Sequence, residues 1–427
     1  MKALTNKLFI EVSEHFGTPT FLFNAEAIKE KYRHLRTLLT QKCDIFYSMK
    51  ANPTLGICRY LKSLGSSCEV SSLNELLTAL KAGFLAQQII FVGPGKKYEE
   101  IEYCVQQKIK SIICESIEEI YTVNAISKKL KIVTSVIVRI NPDFFVAKAP
   151  IKMSGVATQF GIEEKHLINQ FELIKKCQFI SLDGIQVYNA SRVLDKNALC
   201  DNINCILQLA ERLSKQFSIE WKTIDVGGGF GIPYFQNEKA LCVNELINEI
   251  NILFEQYLKL HTATKFIIEL GRYLVAESGY LISTVQNIKT SHDKNYIIVD
   301  AGMHCNLAAT GLGSFVHRNF PMRFIPLSAV ENINNDEKKY YQVAGPLCTP
   351  GDVLLKDVEL PAVKKGDLIV LLNTGAYGLS ASPGKFLSHG FPSEVMHDNE
   401  KLYCIRRRET VEDIWLTQLM ENNHVEH

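Results

Sequence analysis

No apolar run in this chain is long enough to span a membrane. Neither sign of charge dominates: 47 Lys and Arg stand against 46 Asp and Glu, for a formal net charge of +1. That balance sets up no strong field toward nucleic acid or a membrane surface, so neither is expected as a partner. The opening stretch, MKALTNKLFIEVSEHFG, carries Glu11 and Glu14 and lacks the apolar core of a signal peptide. There is no CxxC pair and no cysteine–histidine spacing of a metal site, which leaves no metal to expect. No internal repeat or low-complexity linker interrupts the chain. The 12 cysteines are scattered, many in strand-like or helix-like stretches (Cys43, Cys104, Cys114, Cys177, Cys205). They read as buried thiols of a cytoplasmic protein. Cys348, in GPLCTPGD, is the exception.

What is present is a regular alternation. Short β-prone segments recur as CDIFYSMK (43–50), SSCEVSS (66–72), QIIFVGPG (88–95), KSIICES (110–116), VTSVIVRINP (133–142), FISLDGIQVYNAS (179–191), WKTIDVGGGF (221–230) and KFIIELGR (265–272). Amphipathic helices separate them. AEAIKEKYRHLRTLL places Ile28, Tyr32, Leu35 and Leu38–Leu39 close to a 3.6-residue period. SLNELLTALKAG opens on Ser72 as N-cap, with Glu75 three residues later, and stops at Gly83. Eight strands alternating with helices predict a (β/α)8 TIM-like barrel over residues 24–280, with a doubly wound open sheet as the competitor. Lys50, Glu69, Arg139, Tyr188, Gly227–Gly229 and Glu269–Arg272 all fall at strand C-termini, where barrels carry their chemistry.

The pattern changes after about residue 280. YLISTVQNIKT, KNYIIVDAGM, KKYYQVAGP, DVLLKDVELP and DLIVLLNTGAYG read as short strands joined by Gly, Pro and Asp turns. They predict an all-β sandwich or barrel domain. The early segment TPTFLF (18–23) has no place in the barrel and is assigned to that domain, which is then discontinuous: 1–23 and 281–427. The final MENNHVEH reads as a frayed tail.

Several strand ends carry chemistry. A lysine such as Lys50 can condense with an aldehyde if it is reachable as a neutral amine. The DVGGGFG turn at 225–231 lets backbone N–H groups approach a phosphate closely, and Arg272 can pair with one. Glu269 at a barrel mouth is costly unless paired. It either meets a cationic ring nitrogen or forms a structural salt bridge with Arg272.

In order along nearly the whole chain, YSMKANP, CEVSSLNEL, GPGK, RINP, QFGI, DVGGGFG, ELGRYLVAESG, VDAGM, GPLCTPGD and GAYG together resemble the fold-type III pyridoxal-phosphate decarboxylases, the diaminopimelate/ornithine decarboxylase group. The resemblance implies an alanine-racemase-like fold, pyridoxal 5'-phosphate as cofactor and a homodimer with shared active sites. It makes Lys50 the lysine that carries the cofactor and Glu269 the partner of its ring nitrogen. It puts Gly228, Gly229, Gly271 and Arg272 at the phosphate, assisted by Ser191 and Tyr377. Arg139 would lie beneath the cofactor near Lys50. Cys348 would return a proton to the substrate's α-carbon from the second subunit, and Asp352 would belong to the same loop. A thiol suits that role because it can hold and release a proton close to neutral pH.

Three departures bear on the substrate. The family's H-x-G-S segment is here YNAS, so Tyr188 takes the place of a stacking histidine. Thr349 follows Cys348 where diaminopimelate and ornithine decarboxylases carry an acid that reads a distal ammonium. The diaminopimelate enzymes' Arg-Pro-(Leu-Tyr) segment is replaced by DAGMHCNLAATGLGSFVHRNFP (300–321). With PLCTPGD and GAYGLSASPGKFLSHGFPSEV, this is similar to a subgroup acting on amino acids tethered to acyl-carrier proteins, as in butirosin biosynthesis. The expected reaction is removal of the α-carboxylate from a carrier-bound acidic amino acid, with Arg318, Thr349 and Asp352 at the substrate. A free diamino acid such as meso-diaminopimelate is the alternative substrate. Amino-acid racemase and non-catalytic binder are the other classes. A strong electron sink at Glu269 argues against the first, and the presence of Lys50, Glu269, Arg272 and Cys348 against the second.

Overall fold

The structure, a computed structural model, describes residues 4–144, 151–152, 154–235, 237–312, 317–327 and 338–419. Part of the 300–321 segment (313–316) and the expected tail at 420–427 lie outside them. The chain divides into two compact units: Ile28–Pro233 with Asn237–Val275, and Met1–Ala27 with Tyr234–Gln236 and Ala276–His427.

The first unit is a closed parallel barrel. Its strands are β1 (Cys43–Ser48), β2 (Ser67–Val70), β3 (Ile89–Phe91), β4 (Ser111–Cys114), β5 (Thr134–Asn141), β6 (Ile180–Gln186), β7 (Thr223–Gly228) and β8 (Lys265–Leu270). Each pairs in parallel with the next, and β8 closes on β1 with Phe266 opposite Cys43 and Leu270 opposite Tyr47. All eight predicted segments are barrel strands, so the open-sheet competitor fails on closure. Phe46, Ile90, Val92, Ile113, Ile137 and Ile267 form one buried cluster of the kind that fills a barrel interior.

The helix signals act as expected. Ser72 accepts a hydrogen bond from the Glu75 amide at 3.2 Å, and Gly83 closes helix Leu73–Ala82 in the left-handed region, at φ 95°. Helix Ala25–Leu38 buries Ile28, Tyr32 and Leu35, the positions of its apolar stripe.

The second unit is built on a sheet. Thr20–Asn24 runs antiparallel to Gly279–Ser291 and parallel to Ser393–Asp398, which joins the early segment to the late strands. Gly279–Ser291 also pairs with Lys294–Val299 and Leu368–Leu372. Helix Asn6–Phe16 was not among the elements expected from the sequence. Its Phe9 and Val12 are fully buried against Leu22, Ile282, Leu368, Val370 and Val395. Tyr234 and Phe235, although inside the barrel span, also belong to this unit, where both rings pack on Phe320. No helix among the described residues is long and apolar enough to cross a membrane. None of the twelve cysteines is in a disulfide.

Phe9→Ala removes a ring that is 0% exposed. It should cost about 3–5 kcal/mol of the sheet unit's stability in urea unfolding. A loss under about 1 kcal/mol would mean that the helix is not part of this core.

Candidate active site

Lys50 sits in the one-turn 3-10 helix Met49–Ala51 that ends β1. Asn52 builds the turn: its carbonyl accepts from Tyr47 Oη at 2.7 Å and its Oδ1 accepts from the Thr54 amide at 3.1 Å. Pro53 biases Asn52 to extended backbone, φ −160° and ψ 99°, which ends the 3-10 helix there. The side chain of Lys50 is 36% exposed, and its Nζ lies 3.3 Å from Glu69 Oε1 and 5.2 Å from the centre of the Tyr188 ring. The tyrosine that replaces the family's histidine thus lies beside the lysine.

Three carboxylates are buried at these strand ends: Glu69 on β2, Asp225 on β7 and Glu269 on β8, none more than 2% exposed. Glu269 Oε1 accepts from Gln186 Nε2 at 2.6 Å, and the same nitrogen reaches Asp225 Oδ2 at 3.2 Å. Glu269 is therefore committed to Gln186 and Asp225, and the alternative of an Arg272 salt bridge is not its arrangement. Burial, then the charges of Asp225 and Glu69, raises the Glu269 carboxyl well above its ordinary range, with Lys50 opposing. Burial likewise raises Asp225 to about 6, against hydrogen bonds from Glu269, Gly227 and Gln186 that lower it.

The glycine turn has a steric origin. Gly227 and Gly229 hold φ 64° and 79°, a region that other residues rarely adopt. A Cβ on Gly227 would fall 2.9 Å from Tyr188 Cδ2, so this glycine makes room for the ring. A Cβ on Gly228 would meet the Glu269 carbonyl at 1.7 Å, and one on Gly271 would meet Ala51 Cβ at 2.8 Å, beside Lys50. Ser191 lies in a two-residue strand paired with Ile151–Lys152. Arg272 opens the short helix that follows β8. Arg139 is buried, and its Nη1 donates to both oxygens of Glu115 at 3.1 Å while its guanidinium covers Phe160.

The remaining predicted residues belong to the sheet unit. Cys348 is exposed in the loop Gly345–Asp352. Asp352 was expected at the substrate, but its carboxylate is turned inward: Oδ1 accepts from the Met303 amide at 2.6 Å and Oδ2 from the Leu347 amide at 2.8 Å. Its backbone amide donates to the Thr349 carbonyl at 3.1 Å. Asp352 thus shapes the loop and does not present a charge from it. Arg318 lies 4.9 Å from the centre of the Phe235 ring. Tyr377 is held at φ 53°, an uncommon conformation for a bulky residue and one that clusters at functional sites.

The sequence reading did not single out Gln186, Asp225 or Glu115, and it gave Glu69 no role. The available signal was a polar residue breaking an apolar strand just before its C-terminus, as in DGIQ and TIDV.

Residues 25–276 match the family described as "Pyridoxal-dependent decarboxylase, pyridoxal binding domain". This chain belongs to that family. It is 37% identical over 415 residues to an L-glutamyl-[BtrI acyl-carrier protein] decarboxylase of Niallia circulans, covering 97% of this chain and 96% of the relative. It is 32% identical over 412 residues to a diaminopimelate decarboxylase of Helicobacter pylori (strain J99), covering 96% and 97%. Among solved structures, a diaminopimelate decarboxylase from M. jannaschii superposes with TM-score 0.87 at 26% identity over 97% of this chain and 94% of that one. The Helicobacter pylori enzyme complexed with L-lysine gives TM-score 0.85 at 30% identity, covering 96% of this chain and 98% of that one. The protein is thus a pyridoxal-phosphate-dependent decarboxylase, a lyase.

The residues fit that cofactor. Its protonated ring is a cation, and three buried carboxylates face the single charge of Lys50. Glu69 Oε2 and Gln186 Oε1 are buried without a hydrogen-bond partner among the described residues, as at a site that takes a ligand.

The raised carboxyls carry a stability cost with a definite sign. Unfolded, Asp225 would release its proton near 3.8; folded, it holds it to about 6, and Glu269 holds its own higher than usual. The folded state therefore binds more protons in that window, and stability falls as pH rises through it. The cofactor-free protein should melt lower at about pH 8 than at about pH 5.5. Glu269→Gln should raise its melting temperature at the higher pH and flatten the slope while weakening cofactor binding. A lower melting temperature for this variant at the higher pH would contradict the assignment.

Proposed function

We propose that this enzyme removes the α-carboxylate of an acidic amino acid tethered as a thioester to an acyl-carrier protein, in a homodimer whose active sites each draw on both subunits. The observation that carries the choice of substrate is the Cys348 loop. Its only acid, Asp352, is spent on the Met303 and Leu347 amides, and Thr349 stands beside the cysteine. A distal ammonium would need a carboxylate there. A thioester carbonyl needs none. The 37% identity to a decarboxylase named for a carrier-bound glutamyl substrate supports the same reading.

In this reading Lys50 holds the cofactor's aldehyde carbon, Tyr188 packs on its ring and Glu269 keeps its ring nitrogen protonated. The turn at Gly228 and Gly229, with Gly271, Arg272, Ser191 and Tyr377, holds its phosphate. Pyridoxal phosphate held there would supply an electron-accepting ring for loss of the α-carboxylate as CO2. Cys348 of one subunit then donates its proton to Cα in the barrel of the other. Arg318, held against Phe235, meets the phosphate of the carrier's phosphopantetheine arm.

The second reading, a free diamino acid, has support from the 32% identity to a diaminopimelate decarboxylase. CO2 release separates the two. Glutamate and aspartate as phosphopantetheine thioesters should react, and free meso-diaminopimelate, lysine and ornithine should not. Release from a free diamino acid would overturn the carrier reading. Lys50→Ala should lose the bound cofactor's visible absorbance. Cys348→Ala should keep the absorbance and lose about 100-fold or more in turnover. Mixing the two inactive variants should restore part of the activity, and no rescue would count against shared sites.

A further inference from the structure

Gln186 has no role in the reaction as set out above, yet it is the hub of the barrel mouth. It is 0% exposed and lies at the end of β6, with Asp225 of β7 and Glu269 of β8 on one side of its amide. Its Nε2 is 2.6 Å from Glu269 Oε1 and 3.2 Å from Asp225 Oδ2. An amide nitrogen has two hydrogens, so it can donate one to each carboxyl. The flipped amide would aim Oε1 at two acceptors, so only this orientation satisfies the contact. The other end of Asp225 is fixed by the Gly227 amide at 2.9 Å. Among the described residues, Lys50 and Glu69, at the ends of β1 and β2, act on the pair electrostatically, and Asp225 acts on the buried Cys43 thiol.

Two buried carboxylates within hydrogen-bonding reach of each other cannot both ionise cheaply. We propose that Gln186 is a positioning residue: by donating to both Asp225 and Glu269 it makes them share one proton, so the pair carries a single negative charge toward the cofactor's ring nitrogen. That charge balances the ring's N–H⁺. A pair carrying two charges would be over-compensated, and a pair carrying none would let the ring nitrogen lose its proton. Gln186 therefore acts through Glu269 on how well the cofactor accepts electrons. This inference rests on the placement of Glu269 at the ring nitrogen.

The test follows ring-nitrogen protonation directly, by the nitrogen-15 resonance of ring-labelled pyridoxal phosphate bound to the full-length enzyme across a pH series. Gln186→Met is close in size and has no donor. Losing the amide hydrogen bonds disfavours the ionised pair, so the pair should take up its second proton at a pH about one unit higher. At an unchanged proton count the pair then competes better with the ring for a proton, so the ring nitrogen should be less protonated than in the wild type across the neutral range. kcat should fall about tenfold there with KM nearly unchanged. Asp225→Asn removes the neighbouring charge and should move Glu269's titration the opposite way. Shifts of the same sign in the two variants, or a Gln186→Met titration that overlays the wild type, would overturn the proposal. Glu269→Gln is run in the same series. If it leaves the ring resonance unchanged, the placement of Glu269 is wrong. If it alone changes the resonance, only the role of Gln186 falls. Cofactor absorbance retained in Gln186→Met excludes misfolding as the cause.

Discussion

Burying three carboxylates at one end of a barrel is the constraint around which the rest of this protein is arranged. Glu69, Asp225 and Glu269 are held at the ends of three strands with Lys50 as a facing cation. In isolation the cluster opposes folding, because burial and mutual repulsion make ionisation expensive. The barrel can carry it because closure fixes all eight strands and the apolar interior below does not depend on it. Such strain is typical of sites built for a partner of opposite charge. A protonated pyridine ring is such a partner, which ties the family's cofactor to an electrostatic deficit visible in the protein alone.

The same economy governs the loop that bears Cys348. Asp352 gives this loop a rigid base by accepting two amide hydrogen bonds. Gly302 and Gly345 make this possible, because a Cβ on either would lie within 2.6 Å of that carboxylate. A carboxylate used to fold the loop is no longer available to meet a charge outside it. Threonine beside the cysteine completes a loop with no outward charge of its own.

Much of this was legible in the sequence. Barrel strands announce themselves because each is buried on both faces and ends where the polarity changes, so CDIFYS, SIIC and FIIEL stand out from the helices between them. Lys50 and Glu269 were legible as charges at the ends of apolar runs. Gln186 and Asp225 were not, since one polar residue in a strand has no periodic signature and its partners lie 39 and 83 residues away in the chain. Helix Asn6–Phe16 was missed because its apolar face became meaningful only against Leu22 and the strands beyond residue 280. For Asp352, sequence shows that an acid is present in a loop, not that its carboxylate accepts from the Met303 and Leu347 amides.

The central claim is that at about pH 5.5 the cofactor-free barrel holds both Glu269 and Asp225 protonated, and that a basic ring nitrogen takes one of the two protons and leaves the pair sharing the other. Infrared difference spectroscopy on adding pyridoxal phosphate tests it most directly. The account predicts loss of one carboxylic-acid C=O stretch as the proton passes to the ring, a signal that moves with carbon-13 labelling of glutamate or aspartate side chains and is absent in Glu269→Gln. A difference spectrum with no change in the carboxylic-acid region would contradict it.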